Sequence, residues 1–103
     1  MTLETLLYSL ILSQKFSPGR IITTAGVNDL ERRCQPRLYL YLHRHLRGDW
    51  GDVDDSDWQC NDTALKSGED RLFSAYEIEP DLRLWIITEW DRSATTLLLP
   101  SEY

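Results

Sequence analysis

Positive charge, long apolar runs and paired cysteines are all scarce in this chain of 103 residues. Lysine and arginine number 11 against 17 aspartates and glutamates, which gives a formal net charge of −6. Phosphates are therefore repelled, and direct nucleic-acid binding is not expected. No apolar run approaches the roughly 18 to 20 residues that cross a bilayer, so no membrane contact is expected. The first residues lack the basic region and cleavage site of a secretory signal. Cys34 and Cys60 form no C-x-x-C motif, which favours free thiols in a reducing cytoplasm.

Signatures of catalysis are also missing. The chain has no G-x-S-x-G elbow and no glycine-rich phosphate loop. Ser93, Cys60 and two histidines are present, but the sequence has no recognisable elbow that would present one of them as a nucleophile. We therefore expect no catalytic residue and no cofactor. A chain of this size suits binding better than multistep catalysis.

The chain does have enough apolar surface for one core. Hydrophobic residues make up 42% of it, with four tryptophans and five tyrosines, which argues against disorder. Its length suits one domain. We predict a single domain over 1–103, with an N-terminal helix and linker over 1–18, a strand plus helices over 19–68, and a β-meander over 69–103.

Apolar spacing predicts helices in the first two thirds of the chain. Residues 3–12 have apolar residues at helical spacing, and the β-branched run at 20–24 predicts a strand before the next helices. Ser56 and Gln59 match a capping box, which predicts a helix from about 57 to 66. The other two helices are expected over 25–34 and from Pro36 to Gly48.

The last third changes to the alternation of strands, at 71–78, 82–90 and 94–100. Their short connections predict antiparallel neighbours. The predicted class is α+β, an antiparallel three- to four-stranded meander sheet with three to four short helices packed on it; the strand at 20–24 is the fourth. Trp85 lies opposite the Leu84 and Ile86 side of the central strand, so either both faces are covered or Trp85 and Trp90 are partly exposed at a binding surface.

Several motifs together resemble a known family. The pieces "RIITTAG", "HLRGDWGD", "DWQCNDTAL", "LFSAYEI" and "LWIITEWDRSATTLLLPSEY" are similar to small, functionally uncharacterised plasmid-related proteins of bacterial mobile elements, some of them labelled as type I restriction modification subunits. The resemblance covers about residues 19–103. Ala25 stands where the family has proline, and His43, His45 and Cys34 lie outside its pattern. The resemblance implies a mobile-element context and no established activity.

Two histidines and five aspartates between residues 43 and 58 raise the question of a metal site. A calcium loop starting at Asp52 lacks the glycine and the final glutamate that an EF-hand needs. His43 and His45 are two apart, so on a helix they point about 200° apart and cannot hold one ion together. We therefore expect no metal site.

The run "GDWGD" predicts a structural corner formed by Asp49, Trp50, Gly51 and Asp52. Trp50 inserts beneath the sheet, and the two aspartates accept hydrogen bonds from backbone N–H groups. Asp55 and Asp57 lie near a helix start, where the helix dipole favours negative charge.

The leading functional hypothesis is a non-enzymatic protein–protein interaction protein of mobile-element type. Its more specific form is an anti-defence inhibitor, of the anti-CRISPR or antirestriction kind, with an acidic surface that fills a basic nucleic-acid groove. The expected partner-binding residues are exposed acids, two tryptophans and the interface-prone Arg92: Asp54, Asp55, Asp57, Trp85, Glu89, Trp90 and Arg92.

Two alternatives stay open. One is a small enzyme or metal-dependent factor that uses His43, Asp49 and Asp52. The other is a structural subunit that docks through its first helix. An uncovered apolar patch around Trp85 would also fit a homodimer.

Overall fold

A computed structural model of the chain describes residues 14–34 and 37–103, apart from the side chain of Cys34. The described residues fold as α+β, with three α-helices, four strands and a final 3₁₀ turn. The predicted helix over 3–12 lies outside them. The elements are β1 (Arg20–Thr23), α1 (Ala25–Cys34), α2 (Leu38–Leu46), α3 (Asp55–Ser67), β2 (Leu72–Glu79), β3 (Leu82–Thr88), β4 (Ala94–Leu98) and the 3₁₀ turn Pro100–Glu102.

The four strands form one mixed sheet in the order β1-β4-β3-β2. Two tight hairpins make β2, β3 and β4 antiparallel neighbours. β1 pairs with β4 in parallel, with Ile21 opposite Thr95, so the predicted all-antiparallel sheet is wrong at this strand. The reason is the connection between the strands. The three helices between β1 and β2 form a long crossover, after which β2 runs in the same direction as β1. The two hairpins then make β4 parallel to β2, and so parallel to β1.

All three helices contribute to the core on one face of the sheet. Val27 of α1 and Leu38 of α2 pack with Leu84, Ile86 and Leu97. Ala64 of α3 packs with Trp50 and Leu72 in a second cluster at the β2 edge. The opposite face has Trp85 and Ile87 of β3, and Phe73 of β2 is paired with Ile87, because successive side chains alternate across a strand.

Two predicted boundaries moved. Helix α3 begins at Asp55 because Asp54, in extended backbone, accepts from the backbone N–H of Asp57; the Ser56 capping box is therefore wrong. β3 ends at Thr88, so Trp90 lies in the following turn. Within residues 14–34 and 37–103, each helix is too short or too polar to traverse a bilayer.

Candidate partner-binding site

The corner residues hold the loop between α2 and α3 against the sheet. Arg44 Nε donates to Asp49 Oδ2 at 2.7 Å, and the backbone N–H of Gly51 donates to Asp49 Oδ1. The pKa of Asp49 is lowered, chiefly by the hydrogen bond from Arg44. The buried Tyr76 hydroxyl donates to the Asp49 carbonyl at 2.6 Å. Asp49 is thus engaged in structure on both its side chain and its backbone.

Trp50 is completely buried beneath the sheet. Its indole Nε1 donates to Asp62 Oδ1 at 2.9 Å, which satisfies its one polar group. Its ring packs against Phe16 and, edge to face, against His45. Asp62 of α3 therefore anchors the tryptophan.

The same corner closes the outer edge of β2. Ala75 exchanges backbone hydrogen bonds with the corner, donating to Trp50 and accepting from Asp52. The N–H of Glu77 donates to Asp52 Oδ2 at 2.8 Å. An unpaired strand edge invites pairing with other chains, so Asp52 has a structural task in covering it.

Asn61 of α3 extends this cover towards the start of β2. Its side-chain amide donates to the Phe73 carbonyl at 2.6 Å and accepts from the Phe73 N–H at 3.0 Å. Asn61 is buried. Its two hydrogen bonds replace those that a neighbouring strand would make with Phe73, and they fix α3 along the edge of the sheet.

A chain of buried polar groups runs through the core from His45. Its Nδ1 lies 2.6 Å from Ser74 Oγ, and its Nε2 lies 2.9 Å from Thr88 Oγ1. Thr88 Oγ1 lies 2.7 Å from Thr95 Oγ1, which donates to the Pro18 carbonyl. A carbonyl only accepts, so Thr88 donates to Thr95 and His45 Nε2–H donates to Thr88. Burial keeps the imidazole neutral by lowering its pKa, so Nδ1 carries no proton and accepts from the Ser74 hydroxyl.

This network has the members of a serine–histidine pair but does not form a reaction centre. His45, Ser74 and Thr88 are all completely buried, so no substrate reaches them. Burial, with help from Arg92, lowers the pKa of His45 to about 3. Sequence reasoning missed this network. The available signal was the polar residues at inward strand positions: Ser74, Thr88 and Thr95.

The three residues of the metal-dependent alternative, His43, Asp49 and Asp52, are not arranged as metal ligands. Asp49 is paired with Arg44, and Asp52 accepts from the β2 edge. Burial and the nearby Arg47 lower the pKa of His43. In the part of the chain that the structure describes, no three His, Cys, Asp or Glu side chains are grouped to hold an ion.

The acidic start of α3 divides into one structural and two outward residues. Asp54 caps the helix through Asp57 N–H at 2.7 Å. Asp55 and Asp57 are exposed in the first turn, where the helix dipole favours their charge. The carboxylate of Asp57 makes no hydrogen bond or ion pair with any described residue.

A cavity of about 330 Å³ brings Asp57 together with Trp85 of β3. Three aromatic rings border it: Phe73 and Trp85 have centroids 5.1 Å apart at 90°, and Trp85 and Tyr103 have centroids 5.7 Å apart at 70°. Asp70, Arg71 and the exposed thiol of Cys60 also line it. The cavity thus lies where the acidic helix start meets the sheet face opposite the core.

The turn between β3 and β4 contacts the segment that carries Asp70, one of the cavity residues. Arg92 was expected to contact a partner, but its guanidinium points inward and donates to the carbonyls of Asp70, Ala64, Glu89 and Trp90. It positions the segment that carries Asp70 and Arg71. The field of Glu89 reaches Arg71, whose pKa is raised chiefly by its hydrogen bond to Tyr103. Trp90 is 62% exposed and does not line the cavity.

Sequence reasoning therefore found two members of the cavity and missed the rest. Alternation on β3 marked Trp85, and charge marked Asp57. Phe73, Asp70, Arg71 and Tyr103 were not among the expected binding residues. Phe73 had a signal, since its position puts it on the same face as Trp85; Tyr103 had only its aromatic character.

The fold and the site define an α+β protein with one mixed sheet and an aromatic, acidic cavity on the face that the helices leave open. Comparison of the chain with family models, with curated proteins and with solved structures finds no match. The resemblance to plasmid-related proteins stays a prediction.

Proposed function

We propose that this chain is a non-enzymatic, protein-binding module of mobile-element type that docks a basic partner surface at the cavity. The observation that carries the proposal is the convergence of Asp57 and Trp85, from different elements, on one cavity. Half-buried aromatic rings beside a carboxylate without an internal partner suit an interface, where aromatic residues are enriched. The complete burial of His45 and Ser74 supports a binding role over a catalytic one.

Capture followed by affinity measurement tests the proposal. The purified chain is immobilised, a bacterial host lysate is passed over it, and the captured protein is identified and remade. The Kd of this partner is then measured for the wild type and for the variants Trp85→Leu, Tyr103→Ala and Asp57→Asn. We expect at least a tenfold loss for Trp85→Leu and several-fold losses for the other two, because the hot spots of an interface dominate its affinity.

Matched controls lie just outside the cavity. Trp90→Ala removes an exposed tryptophan that is not in the lining, and Asp55→Asn removes a charge from the same helical turn as Asp57. We expect less than a threefold change for each. Equal affinity for the cavity variants and the wild type contradicts the proposal.

The anti-defence version is a more specific form of this function. It requires the acidic run to act as a phosphate-like surface, in which Asp55 contributes as much as Asp57. The test is inhibition of a host nuclease by the wild type and by the variant with Asp54, Asp55 and Asp57 all changed to Asn. Asparagine preserves the helix cap at position 54, so the variant should keep the fold. Unchanged inhibition by this variant therefore contradicts the anti-defence version.

A further inference from the structure

The size of the cavity limits what it holds. Its volume of about 330 Å³ is near the lower end of small-molecule sites, which span about 300 to 1,000 Å³. It therefore suits one side chain or a small group rather than a nucleotide-sized cofactor. The half-buried Trp85 offers an apolar wall to such a group.

The charges of the lining favour a cation. Asp57 and Asp70 contribute two negative charges and Arg71 one positive charge, a net of −1. Arg71 is turned to its own chain, with one guanidinium nitrogen donating to the Tyr103 hydroxyl at 2.9 Å. Aromatic faces also carry partial negative charge and attract cations. An anionic group would face two carboxylates and the rings.

We propose that the cavity receives one arginine side chain of the partner; this deepens the proposed function and rests on it. A guanidinium is planar and weakly hydrated, so it stacks on aromatic rings and still binds carboxylates through paired N–H groups. Trp85 and Phe73 supply the rings, and Asp57 supplies a carboxylate that no described residue occupies. A lysine ammonium is more strongly hydrated and loses more on leaving water.

Short peptides test the chemistry without knowledge of the partner. Capped Gly-Gly-X-Gly-Gly peptides, with X as arginine, citrulline, lysine or glutamate, are titrated into the full chain, and the Trp85 indole N–H is followed by NMR. Citrulline keeps the shape of arginine and removes its charge. We expect the arginine peptide to bind at least tenfold more tightly than the citrulline and glutamate peptides, and several-fold more tightly than the lysine peptide.

The variants locate the binding. Asp57→Asn is expected to weaken the arginine peptide at least fivefold, whereas Asp55→Asn changes it less than twofold. Tyr103→Ala, at an exposed position, is the second cavity variant, because Trp85→Leu would remove the indole N–H that is followed. Citrulline binding equal to arginine binding overturns the cation inference, and lysine binding equal to arginine binding overturns the choice of arginine. Equal effects of Asp55→Asn and Asp57→Asn overturn the location.

The two proposals fail separately. Peptide selectivity for arginine with no effect of the cavity variants on a captured partner contradicts the proposed function, and the partner's arginine with it, and leaves only the selectivity of the cavity for an arginine side chain. Loss of partner binding in the cavity variants without arginine selectivity of the peptides supports the proposed function and contradicts the arginine inference.

Discussion

His45 is an imidazole held neutral in the core, and this sets the response of the protein to acid. Its folded pKa of about 3 lies below the ordinary value of 6.5 because burial disfavours the charged ring. Between these pH values the unfolded chain binds the extra proton, so stability falls as the pH drops below 6.5. We expect the free energy of unfolding to fall by about 2 kcal/mol from pH 7 to pH 5 through this group.

Urea denaturation at several pH values measures this slope. His45→Gln removes the titrating group, so most of the slope between pH 7 and pH 5 should disappear, whatever the variant does to stability at pH 7. His43→Gln, on the half-buried side of the same helix, should keep most of it. The same slope in wild type and His45→Gln would show that other groups set the acid response.

Gly51 occupies a position that tolerates no side chain. Its φ is +75°, and a Cβ there would meet the Ala75 carbonyl and the Tyr76 ring. Gly68, which ends α3, has a similar φ of +70° with nothing within 4 Å. Gly68→Ala thus measures backbone strain alone, about 1 kcal/mol, while Gly51→Ala adds overpacking and should cost about 3 kcal/mol. Thermal unfolding compares the two, and similar losses would show that the corner yields to the added methyl group.

At the scale of elements, the β2 edge depends on α3. Asn61→Ala removes both side-chain hydrogen bonds to Phe73 and leaves that stretch of edge open. We expect a loss of about 2 kcal/mol in urea denaturation, together with faster aggregation of the folded protein measured by light scattering. Gln59→Ala, exposed on the same helix, is the control. If the two variants behave alike, the corner alone protects the edge.

Local patterns predicted most elements, and non-local pairings escaped them. The hairpins of β2, β3 and β4 were readable because short turns force neighbouring strands together. The parallel pairing of β1 was not, since it depends on how three helices return the chain. Asp54 and Ser56 are both good capping residues; only the extended backbone at Asp54 decides between them.

The cavity was harder to predict than the corner for the same reason. Asp49, Trp50, Gly51 and Asp52 are consecutive, so their chemistry suggested a corner from one short run. The cavity joins Asp57 of α3, Trp85 of β3 and Tyr103 after the last turn. Charge and alternation mark such residues one at a time, and no sequence pattern states that they meet.

At the scale of the whole molecule, one face of the sheet holds the core and the other is left for contact. The helices bring their apolar residues to the Leu84 and Ile86 face, while Trp85 and Tyr103 lie on the other side with part of their surface exposed. The six aspartates between residues 49 and 62 then fall into two groups. Asp49, Asp52, Asp54 and Asp62 stabilise the corner and α3, whereas Asp55 and Asp57 remain outward and add to the net charge of −6.

That net charge should make stability depend on salt in an unusual direction. Among residues 14–34 and 37–103 the ion pairs are Asp29 with Arg32 and Arg33, and Arg44 with Asp49, all substantially exposed, and exposed pairs contribute little. At 10 mM salt the screening length of about 30 Å exceeds the 13.4 Å radius of gyration, so the negative charges repel one another across the whole fold. We expect the free energy of unfolding to rise by up to about 1 kcal/mol between 10 and 200 mM NaCl in urea denaturation, an order of magnitude set by weak surface electrostatics.

Changing Asp54, Asp55 and Asp57 together to Asn takes the net charge from −6 to −3 and should reduce this rise. Stability that falls with salt would mean that attractive pairs outweigh the repulsion, and the acidic run would then be a stabilising element of the fold rather than a surface available to a basic partner.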